Sequence, residues 1–241
     1  MKSDFITQFQ FVFLESERYQ MILQGLFATL EITLFAVLIG IAIGTVVASV
    51  RSSYDKNKEE LKKRGGPGYI ALSIANVICK IYLTVIRGTP VVVQLLIAYF
   101  IIFASSTNDI PVAIFAFGIN SGAYVAEIIR AGIMSIDNGQ FEAGRSLGFT
   151  YVQTMIYIII PQMIKNVLPA LCNEFIVLIK ETSVAGYIGI TDLTKAGDLI
   201  RGRTFTAFLP LIGVATIYLV LVVLLTWLVG KLERRLRVNE R

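Results

Sequence analysis

Five stretches of about 20 or more mostly apolar residues divide this chain, and that is the length an α-helix needs to cross the hydrocarbon of a bilayer. Inside hydrocarbon every backbone N–H and C=O must be satisfied within the segment, which leaves the helix as the form open to runs of this kind. The runs cover about 19–50, 69–105, 110–133, 151–180 and 204–230 of 241 residues. Composition agrees: 55% of the residues are hydrophobic and 16% charged, with a mean hydropathy of +0.71. A soluble domain has about half apolar and a quarter charged residues. The expected fold is an all-α polytopic membrane protein with five transmembrane helices. No repeat, low-complexity segment or second soluble domain interrupts it, so 1–241 reads as a single transmembrane domain.

The first run carries Glu31 as its one charge, and its Gly25, Gly40 and Gly44 allow another helix to approach closely. The second holds Lys80 and Arg87 and is interrupted by Arg87-Gly88-Thr89-Pro90. Proline disfavours helical geometry in the residue before it, yet no polar loop separates the halves, so one long kinked element is predicted. The short polar turn Ser105 to Asp109 ends it. The third run has Glu127 and Arg130 towards its end, and the fourth is broken by Pro161, Lys165, Pro169 and Glu174.

Between the first two runs lies RSSYDKNKEELKKRGGPG, with Arg51, Lys56, Lys58, Lys62, Lys63 and Arg64; it reads as a solvated basic loop followed by a helix breaker. Five crossings put the termini on opposite sides. With that loop, the segment 134–150 and the tail KLERRLRVNER in the cytoplasm, most of the Lys and Arg lie inside, so the N-terminus is expected outside and the C-terminus in the cytoplasm. The net charge of +5, from 22 Lys and Arg against 17 Asp and Glu, is thus a property of cytoplasmic loops and gives no sign of a nucleic-acid partner. The N-terminal MKSDFITQFQFVFLESERY carries Asp4, Glu15 and Glu17 and lacks a basic start followed by a clean apolar core. It does not read as a cleaved signal peptide.

Histidine is absent and the two cysteines, Cys79 and Cys172, lie apart within apolar stretches. That excludes His-based acid/base chemistry, Cys/His zinc sites and a Cys–His nucleophile within the chain. There is no aspartate pair within a span and no phosphate-cradling GxxxxGK[ST] loop. If ATP drives this protein, a partner must bind it, and the coupling surface must be a cytoplasmic segment between spans. The strongest candidate is the helix about 138–150. Glu142, Arg145 and Ser146 lie at helical spacings on one side of it, and Gly144 and Gly148 leave it locally thin. An interfacial helix lying along the headgroups is the plainer reading of the same composition.

The segment Glu142-Ala143-Gly144, three residues, Gly148, nine residues, Ile158, one residue, Ile160-Pro161 resembles the coupling motif of the membrane subunits of ABC importers, usually written EAA, x3, G, x9, I, x, LP. It departs at Gly144, where Ala is usual, and at Ile160, where Leu is usual. Arg87-Gly88-Thr89-Pro90 with Val93-Gln94-Leu95, the run Gly122 to Ile133, the run Leu168 to Gly189, and Gly25 with Thr29-Leu30 look like the polar-amino-acid branch, of histidine, glutamine or arginine type. The resemblance extends from Gly25 to the C-terminal tail.

It implies a type I importer permease fold in a bacterial cytoplasmic (inner) membrane. The implied partners are a second permease chain, identical or paralogous, two cytoplasmic ATPase subunits and an extracytoplasmic solute-binding protein. The chain itself holds no cofactor; ATP and Mg belong to the ATPase. Glu142, Ala143, Gly144, Arg145, Gly148 and Pro161 are the implied ATPase-coupling residues. Import, as opposed to export, also comes from the resemblance.

A free amino acid presents a carboxylate and an ammonium group, so its site needs donors and a carboxylate acceptor. Glu127 and Glu174 are the candidate acceptors, with Asn120, Asn173, Thr182 and Ser183 as polar partners. Glu127 with Arg130 also reads as a structural i, i+3 ion pair. An excess of carboxylates at mid-membrane favours a basic substrate, although Lys165 and Lys180 are placed to neutralise it. The segment with Asp192, Lys195, Asp198, Arg201 and Arg203 reads as part of a gate, a docking point for the binding protein, or an ordinary solvated loop. A stand-alone ion-coupled carrier or channel using the same carboxylates is the alternative function.

Overall fold

The computed structural model describes residues 5–238, the side chains of 57, 60, 61, 64, 237 and 238 apart. Asp4 and the end of the basic C-terminal tail lie outside the described residues. The elements are α1 (Phe5–Phe9), α2 (Tyr19–Arg64), α3 (Pro67–Gly88), α4 (Val91–Ile97), α5 (Asp109–Met134), α6 (Asn138–Ser146), α7 (Tyr151–Thr154), α8 (Ile160–Glu181), α9 (Leu193–Thr204) and α10 (Phe208–Val238). No strand occurs among the described residues. Five helical segments are long and apolar enough to cross a membrane: Tyr19–Lys56, Pro67–Gly88, Asp109–Met134, Tyr151–Ile188 and Phe208–Leu236.

Local structure departs from the sequence expectation in two places. The basic segment from Arg51 is not a loop: α2 continues through it to Arg64, because Lys, Glu and Leu are good helix formers. The helix stops where Gly65 and Gly66 take φ of 63° and 96°, the left-handed region that favours glycine, and Pro67 opens α3. The run 69–105 is not one kinked element but two helices. Thr89 is extended at φ −122°, ψ 146°, as a residue before proline prefers, and α4 begins after Pro90 and ends in a π-helical turn, Ala98–Ile102.

The helices form two compact units, one of 5–37, 90–118 and 175–227, the other of 38–89, 119–174 and 228–238. The first has a core of Val12, Ile22, Leu193, Ala196, Ile200, Leu209 and Val214, which makes α9 a packed helix and not a solvated loop. Asp192 caps it, accepting from Thr194 N at 3.0 Å and Lys195 N at 3.1 Å. Thr29 Oγ1 accepts from Leu193 N at 3.1 Å, tying α9 to the first half of α2.

In the second unit, Val125, Ile129, Ile133, Phe141, Ile159, Met163 and Val167 form the main cluster, and Val47, Leu83, Ala123 and Ala126 a smaller one between α2, α3 and α5. Close approach of α2 to α5 depends on missing side chains. A Cβ on Gly40 would stand 2.8 Å from Ser121 Oγ, and one on Gly44 2.5 Å from Val125 Cγ1.

Gly44→Leu is therefore expected to lower the thermal midpoint of the detergent-solubilised protein by an amount corresponding to about 1–3 kcal/mol of overpacking. Gly230→Leu, where nothing stands within 4 Å, is expected to leave it unchanged; equal midpoints for the two variants would contradict the close α2–α5 contact.

Candidate functional site

α6 is a separate nine-residue helix, closed at both ends by its own sequence. Asp137 caps the start, accepting from Gly139 N at 2.6 Å. At the other end Phe149 N donates to Gly144 O at 3.0 Å and Gly148 N to Arg145 O at 2.9 Å, the paired bonds of a Schellman motif, with Gly148 at φ 79°. Gly148 thus ends the helix and does not thin it, and a Cβ there would meet open space.

The two sides of α6 differ. Phe141 and Gly144 are buried, while Glu142, Ala143, Arg145, Ser146 and Leu147 are exposed. A Cβ on Gly144 would lie 2.6 Å from Thr154 Oγ1 and 2.7 Å from Thr154 Cγ2. The departure from the motif at Gly144 therefore has a local cause: Thr154 occupies the room a methyl group would need. The ring of Phe141 stacks on Tyr151 at 6.5 Å and carries the Lys56 ammonium 4.5 Å above it. Lys56 also donates to Asn138 Oδ1 at 2.5 Å, and Gln162 Nε2 donates to Gln140 Oε1 at 3.3 Å. Helix α6 is thus held by the basic end of α2 and the start of α8.

The chain then enters the fourth crossing through a capping box. Gln153 N donates to Thr150 Oγ1 at 3.3 Å and Thr150 N to Gln153 Oε1 at 2.8 Å. Pro161, exposed in the first turn of α8, has no N–H to continue the ladder, and a π-helical turn over Met155–Ile159 accommodates the missing bond. Sequence reasoning missed Lys56, Thr150 and Thr154; the Thr-x-x-Gln spacing was a usable signal for the cap, whereas the other two are brought in by tertiary packing.

The polar residues proposed for substrate divide between the units. In the second unit, Glu174 is buried on α8 and accepts from Ser121 Oγ of α5 at 3.1 Å; Asn120, which precedes Ser121 in sequence, is also buried. Glu127 Oε2 accepts from Arg130 Nη2 at 3.2 Å, and Arg130 reaches on to Asp55 of α2 at 3.3 Å. Asn173 is exposed. In the first unit, Thr182 is buried with its hydroxyl donating to Ile179 O at 2.8 Å, and Ser183 lines a cavity of about 320 Å³ together with Asp192, Lys195 and Asp198. Burial pushes the Asp192 carboxyl above its usual range, against the lowering effect of its cap hydrogen bonds. Asp198 is held below its usual range by the hydrogen bond from Arg201, at 2.6 Å, with Lys195 assisting.

A family profile described as a binding-protein-dependent transport system inner membrane component matches residues 71–238. The chain belongs to this family. Among its relatives, the putative glutamine transport system permease protein GlnP of Rickettsia bellii is 35% identical over 96% of this chain and 100% of its own length. The arginine transport system permease protein ArtQ of Bacillus subtilis is 36% identical over 91% of this chain and 94% of its own. A solved structure, an amino acid ABC transporter with histidines, superposes with a TM-score of 0.81 at 39% identity, over 98% of this chain and 100% of that one. The methionine ABC transporter MetNI, at 20% identity and a TM-score of 0.72, shares the fold. The chain is thus a multi-pass permease component of the bacterial inner membrane with the type I importer fold, as its sequence implied.

Because the folded-state carboxyl of Asp192 titrates above the unfolded one, the stability linked to its protonated form is complete at low pH and is lost as pH rises through the raised value. Asp192→Asn keeps the cap acceptor and removes that titration. Its thermal midpoint is expected to fall less than that of the wild type as pH rises from the ordinary carboxylate range towards neutrality, and parallel pH profiles would contradict the burial of this charge.

Proposed function

We propose that this chain is the permease subunit of an ATP-driven ABC importer for polar amino acids, and that it couples to a cytoplasmic ATPase through α6. The observation that carries this reading is the construction of α6. It is capped at both ends, backed by Thr154, Phe141 and Tyr151, and exposes Glu142, Ala143 and Arg145. A helix fixed on its inner side and open on its outer side can be pushed as a body, and a push on it biases an equilibrium between inward-facing and outward-facing states. Gly144, Gly148 and Pro161 serve the same end indirectly: they set its packing, its end and the turn into α8.

Lys56 belongs to the basic segment of α2 and bonds to Asn138 of α6, so α6 lies at the end of the unit that carries the Lys and Arg excess. That supports a cytoplasmic α6 and C-terminus, with the N-terminus outside. The working assembly then holds a second permease chain, identical or paralogous, two ATPase subunits that bind ATP and Mg, and an external solute-binding protein; this chain needs no cofactor. Relatives named as glutamine and arginine permeases support an amino-acid substrate. Asn120, Glu127, Asn173, Glu174, Thr182 and Ser183 are proposed to provide polar groups along its path, Glu174 being oriented by Ser121.

The test reconstitutes the chain with the ATPase, permease and binding-protein partners encoded in the same genome. Glu142→Arg and Arg145→Glu lie on the exposed side of α6 and are expected to lower substrate-stimulated ATP hydrolysis by about tenfold or more with an unchanged thermal midpoint. Normal hydrolysis and uptake in both variants would refute coupling through α6, and ion-driven uptake by the permease chain alone would replace the importer with a carrier.

A further inference from the structure

We infer that the cavity beside Arg87 is a station for the carboxylate of the transported amino acid, an inference that rests on the transport reading above. The cavity holds about 610 Å³ in the second unit and is lined by Arg51, Lys80, Thr84, Arg87, Tyr124 and Glu127 among others. Its size is that of a small-molecule pocket. Three cations face one carboxylate, and that carboxylate, Glu127, is already bound by Arg130 at 3.2 Å. The lining therefore carries a positive excess and selects an anionic group.

Donor geometry agrees with an oxyanion. The guanidinium of Arg87 lies over the Tyr124 ring, 5.6 Å from its centroid. That stack uses the flat face of the guanidinium, and its N–H groups lie in the plane in which a carboxylate is recognised. Lys80, Thr84 and Arg87 follow one another at i, i+4 and i+7, so they share one side of α3. The Nε of Arg51 is buried with no hydrogen-bond partner among the described residues; a buried donor of this kind is stabilised when an acceptor arrives.

Lys80 lies within the apolar crossing Pro67–Gly88 and Arg87 next to its end, and their neighbour Leu83 packs with Val47 of α2, while Arg51 stands where α2 turns polar. Charged side chains within a crossing face a water-filled path or one another. A lipid phosphate shares the oxyanion chemistry of a carboxylate, and the arms of the test separate the two. The sequence singled out Lys80 and Arg87 only as ionisable residues within a span; their convergence is a product of the fold.

The test uses the permease–ATPase assembly without its binding protein and measures equilibrium binding of L-arginine and L-glutamine against their α-carboxamides. The wild type is expected to prefer the free acid by about tenfold or more, Arg87→Gln and Lys80→Gln to bring that ratio close to one, and Arg87→Lys to retain part of it. Should Arg87→Gln fail to fold, the exposed Lys80 decides. Equal binding of acid and amide by the wild type, no binding of either, or an unchanged ratio in the variants would overturn the station. An unchanged ratio with loss of co-purifying phosphatidylglycerol would reassign the cavity to a lipid. Failure of the transport reading is distinguishable: the wild-type assembly with its binding protein would then show neither uptake nor stimulated hydrolysis with any amino acid.

Discussion

Helices in hydrocarbon gain nothing from burying apolar surface against each other, because the lipid is equally apolar; they associate where backbones approach closely and where polar groups meet. This chain uses both means in its second unit. Gly40 and Gly44 let α2 lie against Ser121 and Val125 of α5 at distances no larger residue permits. Ser121 then bonds to Glu174 of α8, and Tyr82 of α3 donates to Ile119 O of α5 at 2.6 Å. Helix α5 is the shared partner in each of these contacts, and it is the most deeply buried of the crossing helices.

The same contact fixes what α6 can do. Residues Ile129 and Ile133 of α5 share a cluster with Phe141 of α6 and with Ile159 and Met163 of the fourth crossing. A displacement of α6 therefore meets packed side chains and not loose chain, and close-packed interiors transmit strain instead of absorbing it. The Schellman end at Gly148 and the capping box at Thr150 keep the connection short and closed, which leaves little slack between α6 and the crossing that follows.

Much of this architecture was legible beforehand. Apolar run length marks a crossing helix whatever its neighbours do, so the five crossings emerged directly, and glycines at 40 and 44 were recognisable as points of close approach. The basic segment from Arg51 misled because charge was taken as a sign of loop, whereas Lys, Glu and Leu are strong helix formers and only Gly65 and Gly66 break the helix. The site was legible in part. Glu142, Ala143 and Pro161 stand in a recognisable motif and Arg145 lies at helical spacing from Glu142, but the roles of Gly144 and Gly148 were not legible, since one depends on Thr154 and the other on a backbone angle. Glu174 was found as a carboxylate in a span, while its partner Ser121 went unnoticed because a serine in an apolar run carries no signal of what it faces.

The sequence by itself determined that this chain crosses a membrane in five helices, which end is basic, and which segment is polar enough to meet a partner. Those properties follow from transfer free energies and backbone satisfaction, which sum along the chain. Only the tertiary structure decided which side of α6 is free, that Lys56 and Gln162 hold it, and that Arg51, Lys80 and Arg87 line one cavity. Those are contacts between residues far apart in sequence, and they depend on the register in which helices pack, which no local pattern specifies.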